Sequence, residues 1–376
     1  MKKFLAMVLA LAMALSMVCV ATAEETLKIG GIAPLTGAAA SYGLEVQAGV
    51  NYAVEEINAN GGLLGKQVEV IWRDDAHDPA TSVNAYNEIV NEVVAFVGPV
   101  TTAPTIAVYG VAGKDGTPMI TPSATAYEVT DAGNNLFRAC FLDPYQAETM
   151  AVFAKETLGA STAAVIYDNA NDYTIGLANS FKAKAEELGI EIVAEEVCIA
   201  GQADYSAQMS KIADAEPDVV YVAEYYEDTA VMLPLAYEAG LDETPLLGAD
   251  GWTGLAAQVG EDVEYLANCY YSDSFSNAAD GEVAKAFVEG FTASTGAAPA
   301  GFNALGYDAA RLLLHAIETA GSTDAEAIVA AMDETNYECA TGVITFDDHN
   351  DPIKSVYVKS YNEDGSEKLV TRVDPQ

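Results

Sequence analysis

From residue 27 onward, short runs rich in β-branched residues alternate with segments in which apolar residues recur every three or four positions. Eight of these runs are predicted strands: Leu27–Ile32, Gln67–Trp72, Val93–Val97, Pro118–Ile120, Ala163–Tyr167, Glu191–Glu195, Val219–Val222 and Pro245–Leu247. Between them the spacing is helical and places, for example, Val46, Val50 and Val54 on one face. Strand followed by helix, repeated, is typical of parallel sheets covered by helices on both faces. The sequence therefore predicts an α/β protein built from doubly wound parallel sheets.

The alternation is interrupted twice along the chain. The first interruption, at Phe137–Pro144, precedes a second series of strands and helices. The second, near Asn268–Phe275, is followed by the predicted helical segments Glu282–Ser294 and Leu305–Ala320, which could return to the first series. Roughly 350 residues follow the apolar N-terminus, a length at which chains usually form two domains. We therefore predict two lobes joined by several crossings of the chain.

The N-terminus has the pattern of a secretory signal peptide. Lys2 and Lys3 supply a positive start to the apolar run Phe4–Val20, and Ala21–Ala23 then provides the small-x-small site that signal peptidase reads. No basic stop-transfer cluster follows, and no other stretch of the sequence stays apolar long enough to span a bilayer. We predict a signal peptide at residues 1–23, a mature chain that begins at Glu24, and export to the periplasm or the outer face of the cell membrane.

The five cysteines leave two questions open. The segment Leu15–Cys19 loosely resembles a lipobox, so a lipid anchor on Cys19 is the alternative to cleavage after residue 23, although Val18 is bulky where that signal has a small residue. The other four cysteines have spacings that match no zinc motif, and they are Cys140, Cys198, Cys269 and Cys339. In an exported chain these four could form zero, one or two disulfides.

The chain is strongly acidic. Without Lys2 and Lys3, 15 basic residues stand against 56 acidic ones, a net charge of −41. A surface this negative repels phosphate backbones, so we predict no nucleic-acid partner. The charge favours solubility and says little about the ligand.

No recognised catalytic motif occurs in the sequence. The three histidines, His77, His315 and His349, lie in a helical stretch or in Asp-rich turns, and metalloprotease, CxxC, nucleophile-elbow and phosphate-loop patterns are absent. Gly30–Pro34, at the end of the first strand, lacks the glycine spacing of a dinucleotide-binding turn. We predict a protein that is not an enzyme and uses no cofactor or metal, with an exported enzyme as a rival hypothesis.

Small hydroxyl residues follow predicted strands at the edge where a doubly wound sheet binds ligands. Val97–Thr102 and Met119–Thr125 each leave a strand and enter a predicted helix, and hydroxyls beside free N–H groups at a helix N-terminus suit a carboxylate. Asp250 ends another strand, where its carboxylate could pair with an ammonium group. Tyrosines at other strand or loop ends could wall an apolar pocket, and they are Tyr42, Tyr173 and Tyr225. The hydroxyl residues could equally serve only as helix caps.

Ordered motifs run along nearly all of the mature chain. They are Ala33–Gly37 with Tyr42-Gly43, Glu55–Gly62, Asp74–Pro79, Ile120–Thr125, and Tyr173 before Gly176. Each is weak alone, but in this order and spacing they resemble the periplasmic leucine/isoleucine/valine-binding protein family, the type I solute-binding proteins of ABC importers. The resemblance implies a periplasmic binding protein fold, and a function in capturing an amino acid with a branched-chain or other apolar side chain for an ABC permease.

The resemblance also implies roles for particular residues. Thr102 takes the place of the serine that holds the ligand carboxylate. The segment Ser123–Thr125, with Ala124 at its centre, takes the place of residues that bind the carboxylate and ammonium through backbone and hydroxyl groups. Asp250 takes the place of the glutamate that neutralises the ammonium, one methylene shorter. The aromatic walls fall on Tyr42, Tyr173, Tyr225 and Phe302.

The family fold implies three crossings between lobes, near Ala139–Asp143, Ser272–Phe275 and Phe346–His349. The implied first lobe is residues 24–141 with 274–346, and the implied second lobe is residues 142–273 with 347–376. The implied protein is a monomer.

Departures from the family pattern leave the ligand open. Glu224 replaces a small residue and Trp252 closely follows Asp250, so the size or charge of the pocket could differ. An amide, a urea-like compound or an aromatic carboxylate are therefore alternative ligands, and a sensor for a membrane receptor is an alternative function. His77 stands where some relatives have a cysteine whose bridging partner matches Thr101, so that disulfide cannot form here.

Overall fold

A computed structural model describes residues 26–375. The predicted signal peptide at residues 1–23 and the cysteine at position 19 lie outside the described residues. Within the described part of the chain, no helix is both long and apolar enough to cross a membrane.

The first lobe is built on a five-stranded parallel sheet in the order β2-β1-β3-β4-β5. Its strands are β1 Leu27–Ala33, β2 Val68–Asp74, β3 Phe96–Val97, β4 Met119–Thr121 and β5 Leu136–Arg138. The connecting helices are α1 Ala40–Ala59, α2 Pro79–Ile89 and α3 Thr102–Asp115. The start of α2 shows how the sequence sets a helix boundary, because the Asp78 side chain accepts a hydrogen bond from the Thr81 N–H and Pro79 occupies the first turn.

The second lobe is built on a seven-stranded mixed sheet in the order β14-β13-β10-β9-β8-β6-β7. Its parallel strands are β6 Thr162–Asp168, β7 Glu191–Cys198, β8 Val219–Ala223, β9 Leu246–Gly248 and β10 Cys269–Asp273. The antiparallel edge consists of β13 Val356–Tyr361 and β14 Glu367–Val373. The helices of this lobe are α4 Asp143–Glu156, α5 Asp172–Glu187, α6 Ser206–Asp214, α7 Tyr226–Glu238 and α8 Leu255–Val259.

The late part of the chain returns to the first lobe. It forms α9 Glu282–Thr295, α10 Gly301–Ala320 and α11 Ala325–Asp333, and the hairpin of β11 Asn336–Cys339 and β12 Gly342–Thr345. Helix α10 packs on α1 with glycine at both contact points. A Cβ on Gly49 would lie 2.0 Å from the Asn303 carbonyl oxygen, and one on Gly306 would lie 2.4 Å from that of Val46. Only glycine allows this approach of the two helices.

The chain passes between the two lobes three times, after β5, after β10 and after β12. A buried ion pair and a buried hydrogen bond join the first and third passages. The Arg138 Nε lies 2.5 Å from the Asp351 Oδ1, and Lys354 Nζ donates to the Ala139 carbonyl oxygen at 2.7 Å. The three passages overlap the predicted crossings, and two doubly wound lobes confirm the predicted fold class.

The structure differs from the sequence prediction mainly in short or antiparallel strands. The strand predicted from Val93 begins at Phe96, because residues 90–92 form a turn and Val94 and Ala95 each make only one backbone hydrogen bond to β1 before regular pairing starts. The helix predicted after Thr125 is a single 3₁₀ turn at Tyr127–Thr130. The strands β5 and β10 to β14 were not predicted.

Candidate functional site

A cavity with an empty volume of about 240 Å³ lies between the lobes, at the carboxyl ends of parallel strands from both sheets. Its lining contains eight of the nine predicted site residues: Tyr42, Thr102, Ser123, Thr125, Tyr173, Tyr225, Asp250 and Phe302. Val100, Thr101 and Gly251, which the sequence patterns did not single out, complete the lining. The ninth predicted residue, Ala124, is not part of it.

The first lobe contributes a helix N-terminus to the cavity. Thr102 is the first residue of α3, and no side chain caps this helix. The first N–H groups of a helix have no intrahelical partner and carry the positive end of its dipole. Because Val100, Thr101 and Thr102 all line the cavity, this helix end offers N–H groups and hydroxyls to an anion there.

The loop after β4 presents its hydroxyl groups to the same space. The Ser123 hydroxyl donates to the Val100 carbonyl oxygen at 2.8 Å, which ties this loop to the segment before α3. Ala124 is buried, its N–H donates to the Thr121 hydroxyl at 3.1 Å, and its carbonyl oxygen accepts from Arg138 at 3.3 Å. The loop therefore exposes Ser123 and Thr125 to the cavity, whereas the backbone of Ala124 is hydrogen-bonded to Thr121 and Arg138.

The second lobe contributes the single carboxylate of the lining. Asp250 follows β9 in a 3₁₀ turn, is 3% exposed, and accepts hydrogen bonds on Oδ1 from Tyr173 at 2.8 Å and from Gln146 Nε2 at 3.0 Å. Burial raises the pKa of Asp250 to about 6, and the hydrogen bonds from Gln146 and Tyr173 oppose that rise. Among residues 26–375, no lysine, arginine or histidine lines the cavity. A ligand therefore meets one buried carboxylate without a resident cation.

Aromatic rings form the remaining wall and bridge the lobes. Tyr42 stacks on Phe302 with ring centroids 4.5 Å apart, and Tyr173 stacks on Tyr225 at 4.9 Å. The Tyr42 hydroxyl, from the first lobe, donates to the Gly251 carbonyl oxygen of the second lobe at 2.5 Å. This direct hydrogen bond across the cleft shows that the lobes are closed on each other.

Residues 26–366 match the sequence model of the periplasmic binding protein family. The chain belongs to this family. Membership confirms the resemblance and the prediction of a binding protein rather than an enzyme.

Known relatives cover most of this periplasmic binding protein. Leu/Ile/Val-binding protein homolog 3 of Brucella melitensis is 34% identical over 88% of this chain and 89% of its own length. The crystal structure of the leucine-binding protein LivK of Thermotoga maritima is 35% identical, with a TM-score of 0.87 over 93% of this chain and 99% of that one. LivJ of Streptococcus pneumoniae, solved in complex with isoleucine, is 32% identical, with a TM-score of 0.86 over 92% and 99% of the two chains.

The residues that depart from the family pattern lie outside the cavity lining. The Glu224 carboxyl group is buried outside the cavity and accepts a hydrogen bond from the Cys198 thiol at 3.0 Å. Burial raises the pKa of Glu224 to about 8. The Trp252 indole packs against Gly248, where a Cβ would lie 2.2 Å from the ring. His77 Nδ1 lies 2.8 Å from the Thr101 hydroxyl, so a hydrogen bond joins these two positions.

The structure answers the question about disulfides. Cys140, Cys198, Cys269 and Cys339 are free thiols, and all four are buried. Burial raises the pKa of each thiol. These cysteines therefore pack as small apolar side chains.

Gln146 is the supporting residue that the sequence analysis missed. It lies on α4, outside the cavity lining, and its side chain hydrogen-bonds both the carboxylate and the backbone N–H of Asp250. One feature of the sequence could have pointed to Gln146. It lies three residues after Asp143 on the helix that begins at the first crossing, and residues at that spacing share a helix face. That spacing alone does not reveal a contact with a residue 104 positions away.

Proposed function

We propose that this protein captures an α-amino acid with an apolar side chain in its interlobe cavity and delivers it to an ABC permease. The observation that carries the proposal is the lone buried carboxylate of Asp250 in a lining without a basic residue. Burying a charge without a partner costs several kcal/mol, so a ligand with an ammonium group is favoured at this end.

The opposite end of the cavity suits a carboxylate. The uncapped N-terminus of α3 and the Thr102 hydroxyl supply neutral hydrogen-bond donors, and Ser123 and Thr125 complete the polar lining around them. A zwitterion therefore finds a carboxylate site on the first lobe and an ammonium site on the second. Closure of the lobes brings the two sites onto one ligand.

The wall suits an apolar side chain. Rings of Tyr42, Tyr225 and Phe302 face the cavity, and aromatic and apolar linings are typical of small-molecule sites. The isoleucine bound to LivJ, which is 32% identical to this chain, supports a branched-chain ligand.

Capture of the ligand by closure of the lobes also suggests how the protein passes it to a permease. The lobes, residues 24–141 with 274–346 and residues 142–273 with 347–376, close by rotation at the crossings, and the permease reads the closed state. We propose that the chain acts outside the cytoplasm as a monomer after removal of residues 1–23.

A thermal-shift screen of residues 24–376 tests the proposal. The protein is unfolded, dialysed and refolded to remove carried-over ligand, and is then heated with each common amino acid, aromatic carboxylates, amides and urea. A ligand at 100 times its Kd adds about 2.7 kcal/mol of stability, which gives a clear rise in Tm. We expect a rise with leucine, isoleucine or valine and none with benzoate or urea.

The ligand class itself decides between the proposal and its rivals. A rise with an aromatic carboxylate alone would contradict the role given to Asp250, and a rise with an amide alone would contradict the zwitterion. Chemical change of the ligand during long incubation would revive the enzyme hypothesis.

A further inference from the structure

Two fully buried carboxyl groups, not one, lie at the ammonium end of the cavity. Asp143, the first residue of α4, is 0% exposed and does not line the cavity. Its N–H donates to the Thr125 carbonyl oxygen at 2.9 Å, so the start of α4 is tied to the part of the first lobe that lines the cavity. The Gln146 amide nitrogen joins it to Asp250, with Nε2 2.9 Å from the Asp143 Oδ1 and 3.0 Å from the Asp250 Oδ1.

The orientation of the Gln146 amide is determined by its partners. Gln146 Oε1 accepts from the Asp250 N–H at 3.1 Å and from the Ser272 hydroxyl at 2.9 Å. A backbone N–H can only donate, so the atom that faces it must be the amide oxygen, and the nitrogen must face the two carboxyl groups. All four hydrogen bonds hold the amide in this one orientation.

The two carboxyl groups receive unequal support. Asp250 Oδ1 receives both the Gln146 amide and the Tyr173 hydroxyl. Asp143 receives the Gln146 amide on Oδ1, and its buried Oδ2 has no hydrogen bond of good geometry among residues 26–375, although the nearby Thr125 hydroxyl lowers the pKa of this carboxyl group. Donated hydrogen bonds favour the ionised form of a carboxyl group, so the charge belongs on Asp250.

Among residues 26–375, no cation that faces the pair is free to let both groups ionise. The charged or titratable groups that face Asp143 are Asp250, Arg138, Cys140, Tyr173, Tyr221 and Tyr225. Arg138 is already engaged by Asp351 at 2.5 Å and by the carbonyl oxygens of Ala126 and Tyr127. Burial and the neighbouring Asp250 raise the pKa of Asp143 well above its usual value. Two adjacent buried carboxyl groups then share one proton.

We propose that Gln146 is a positioning residue that joins Asp143 and Asp250 into a pair with a single negative charge. The charge lies on Asp250, to which Tyr173 also donates, and the proton stays on Asp143. The inference rests on the proposed function and specifies its substrate class. With one charge, the site neutralises one ammonium and therefore takes a zwitterionic amino acid. If both Asp143 and Asp250 were ionised, the site would favour a ligand with two positive charges.

Calorimetric titration of L-leucine across pH 5 to 9 tests this assignment, with the wild-type protein, D143N and Q146L. In D143N a neutral amide replaces a neutral acid, so we expect the Kd at pH 7 to stay within about threefold of wild type. Q146L removes a donor from both carboxyl groups and raises the pKa of each, so Asp250 is less ionised at pH 7. We therefore expect affinity at pH 7 to fall about tenfold, or about 1.4 kcal/mol, and to recover at pH 8.5. A purely structural role would give a loss without recovery at high pH.

A measurement on the wild-type protein keeps the test decisive if a variant fails to fold. Leucine binding at pH 7 in two buffers of different ionisation enthalpy should show no proton release, because Asp250 is ionised and Asp143 protonated before and after binding. Release of about one proton, or a tenfold weaker Kd in D143N, would overturn the inference and leave the proposed function standing. No binding of any amino acid to the wild-type protein would overturn both.

Discussion

Buried acids occur in two kinds of surroundings in this molecule. On the antiparallel edge of the second sheet, Asp273 lies 2.7 Å from Lys359 Nζ, which also contacts Glu367 at 2.7 Å. At the ammonium end of the cavity, Asp250 is as deeply buried as Asp273, and only uncharged groups donate to it. The first acid has a permanent counter-charge, and the second has none.

The difference separates acids that support the fold from an acid that is available to a ligand. A buried ion pair is costly to form and more costly to break, because removal of one partner leaves the other charge unpaired. In the proposed site, an acid without a cation carries that cost until an ammonium binds, so part of the affinity would come from relief of an unfavourable state.

The largest expected effect concerns the paired acid. K359M leaves Asp273 and Glu367 without their cation, so we expect the free energy of unfolding to fall by about 3–5 kcal/mol. Urea denaturation measures this loss. K182M, which breaks the exposed pair with Glu195, serves as the control and should cost at most about 1 kcal/mol. Equal losses in the two variants would remove the distinction between buried and exposed pairs.

The unpaired acid should affect binding instead. D250A removes the charge that meets the ammonium, so we expect the Kd for leucine to rise at least tenfold, about 1.4 kcal/mol. Calorimetry measures the Kd, and urea denaturation of the ligand-free protein should show a much smaller loss than in K359M. D214A, at an exposed position at the end of α6, is the control. Unchanged affinity in D250A would exclude Asp250 from the site.

Acid pH should reproduce part of the same loss. The pKa of Asp250 in the closed protein is about 6, so protonation below pH 6 removes its charge, and we expect leucine affinity at pH 5 to be about tenfold weaker than at pH 7. Calorimetry at a series of pH values locates the transition. A transition near pH 4 instead would mean that Asp250 is exposed to solvent before the ligand arrives.

The smallest effect is expected at a single hydroxyl. Y173F removes the donor to the Asp250 Oδ1 and the acceptor of the Gly251 N–H, so we expect about fivefold weaker leucine binding, close to 1 kcal/mol. Y237F, at a tyrosine that is 50% exposed, is the matched control for calorimetry. A loss as large as that of D250A would mean that Tyr173 contributes more than one hydrogen bond.

The sequence predicted the residues of the cavity lining that follow strand ends. Thr102, Ser123 and Asp250 were found because the carboxyl ends of parallel strands meet at one edge of a sheet, whatever the details of packing. Gln146 was missed because its role depends on a contact with a residue 104 positions away. Local pattern carries no information on such a pairing.

The same limit applies to the fold. The long apolar strands β1, β6 and β8 were predicted within two residues of their ends, because burial on both faces leaves a continuous apolar run. β3 has only two residues, and β14 alternates exposed and half-buried positions at the sheet edge. Their place in the sheets is set by distant partners.

The packing of α10 on α1 has a consequence for the order of synthesis. Helix α1 is complete at residue 59, but the helix that covers it ends only at residue 320. At a synthesis rate of roughly 5–20 residues per second, α1 waits roughly 13–50 s for its partner. The second sheet is likewise unfinished until β14 emerges near the C-terminus. The first lobe therefore cannot complete its native packing before residue 320 has been made, nor the second before residue 373.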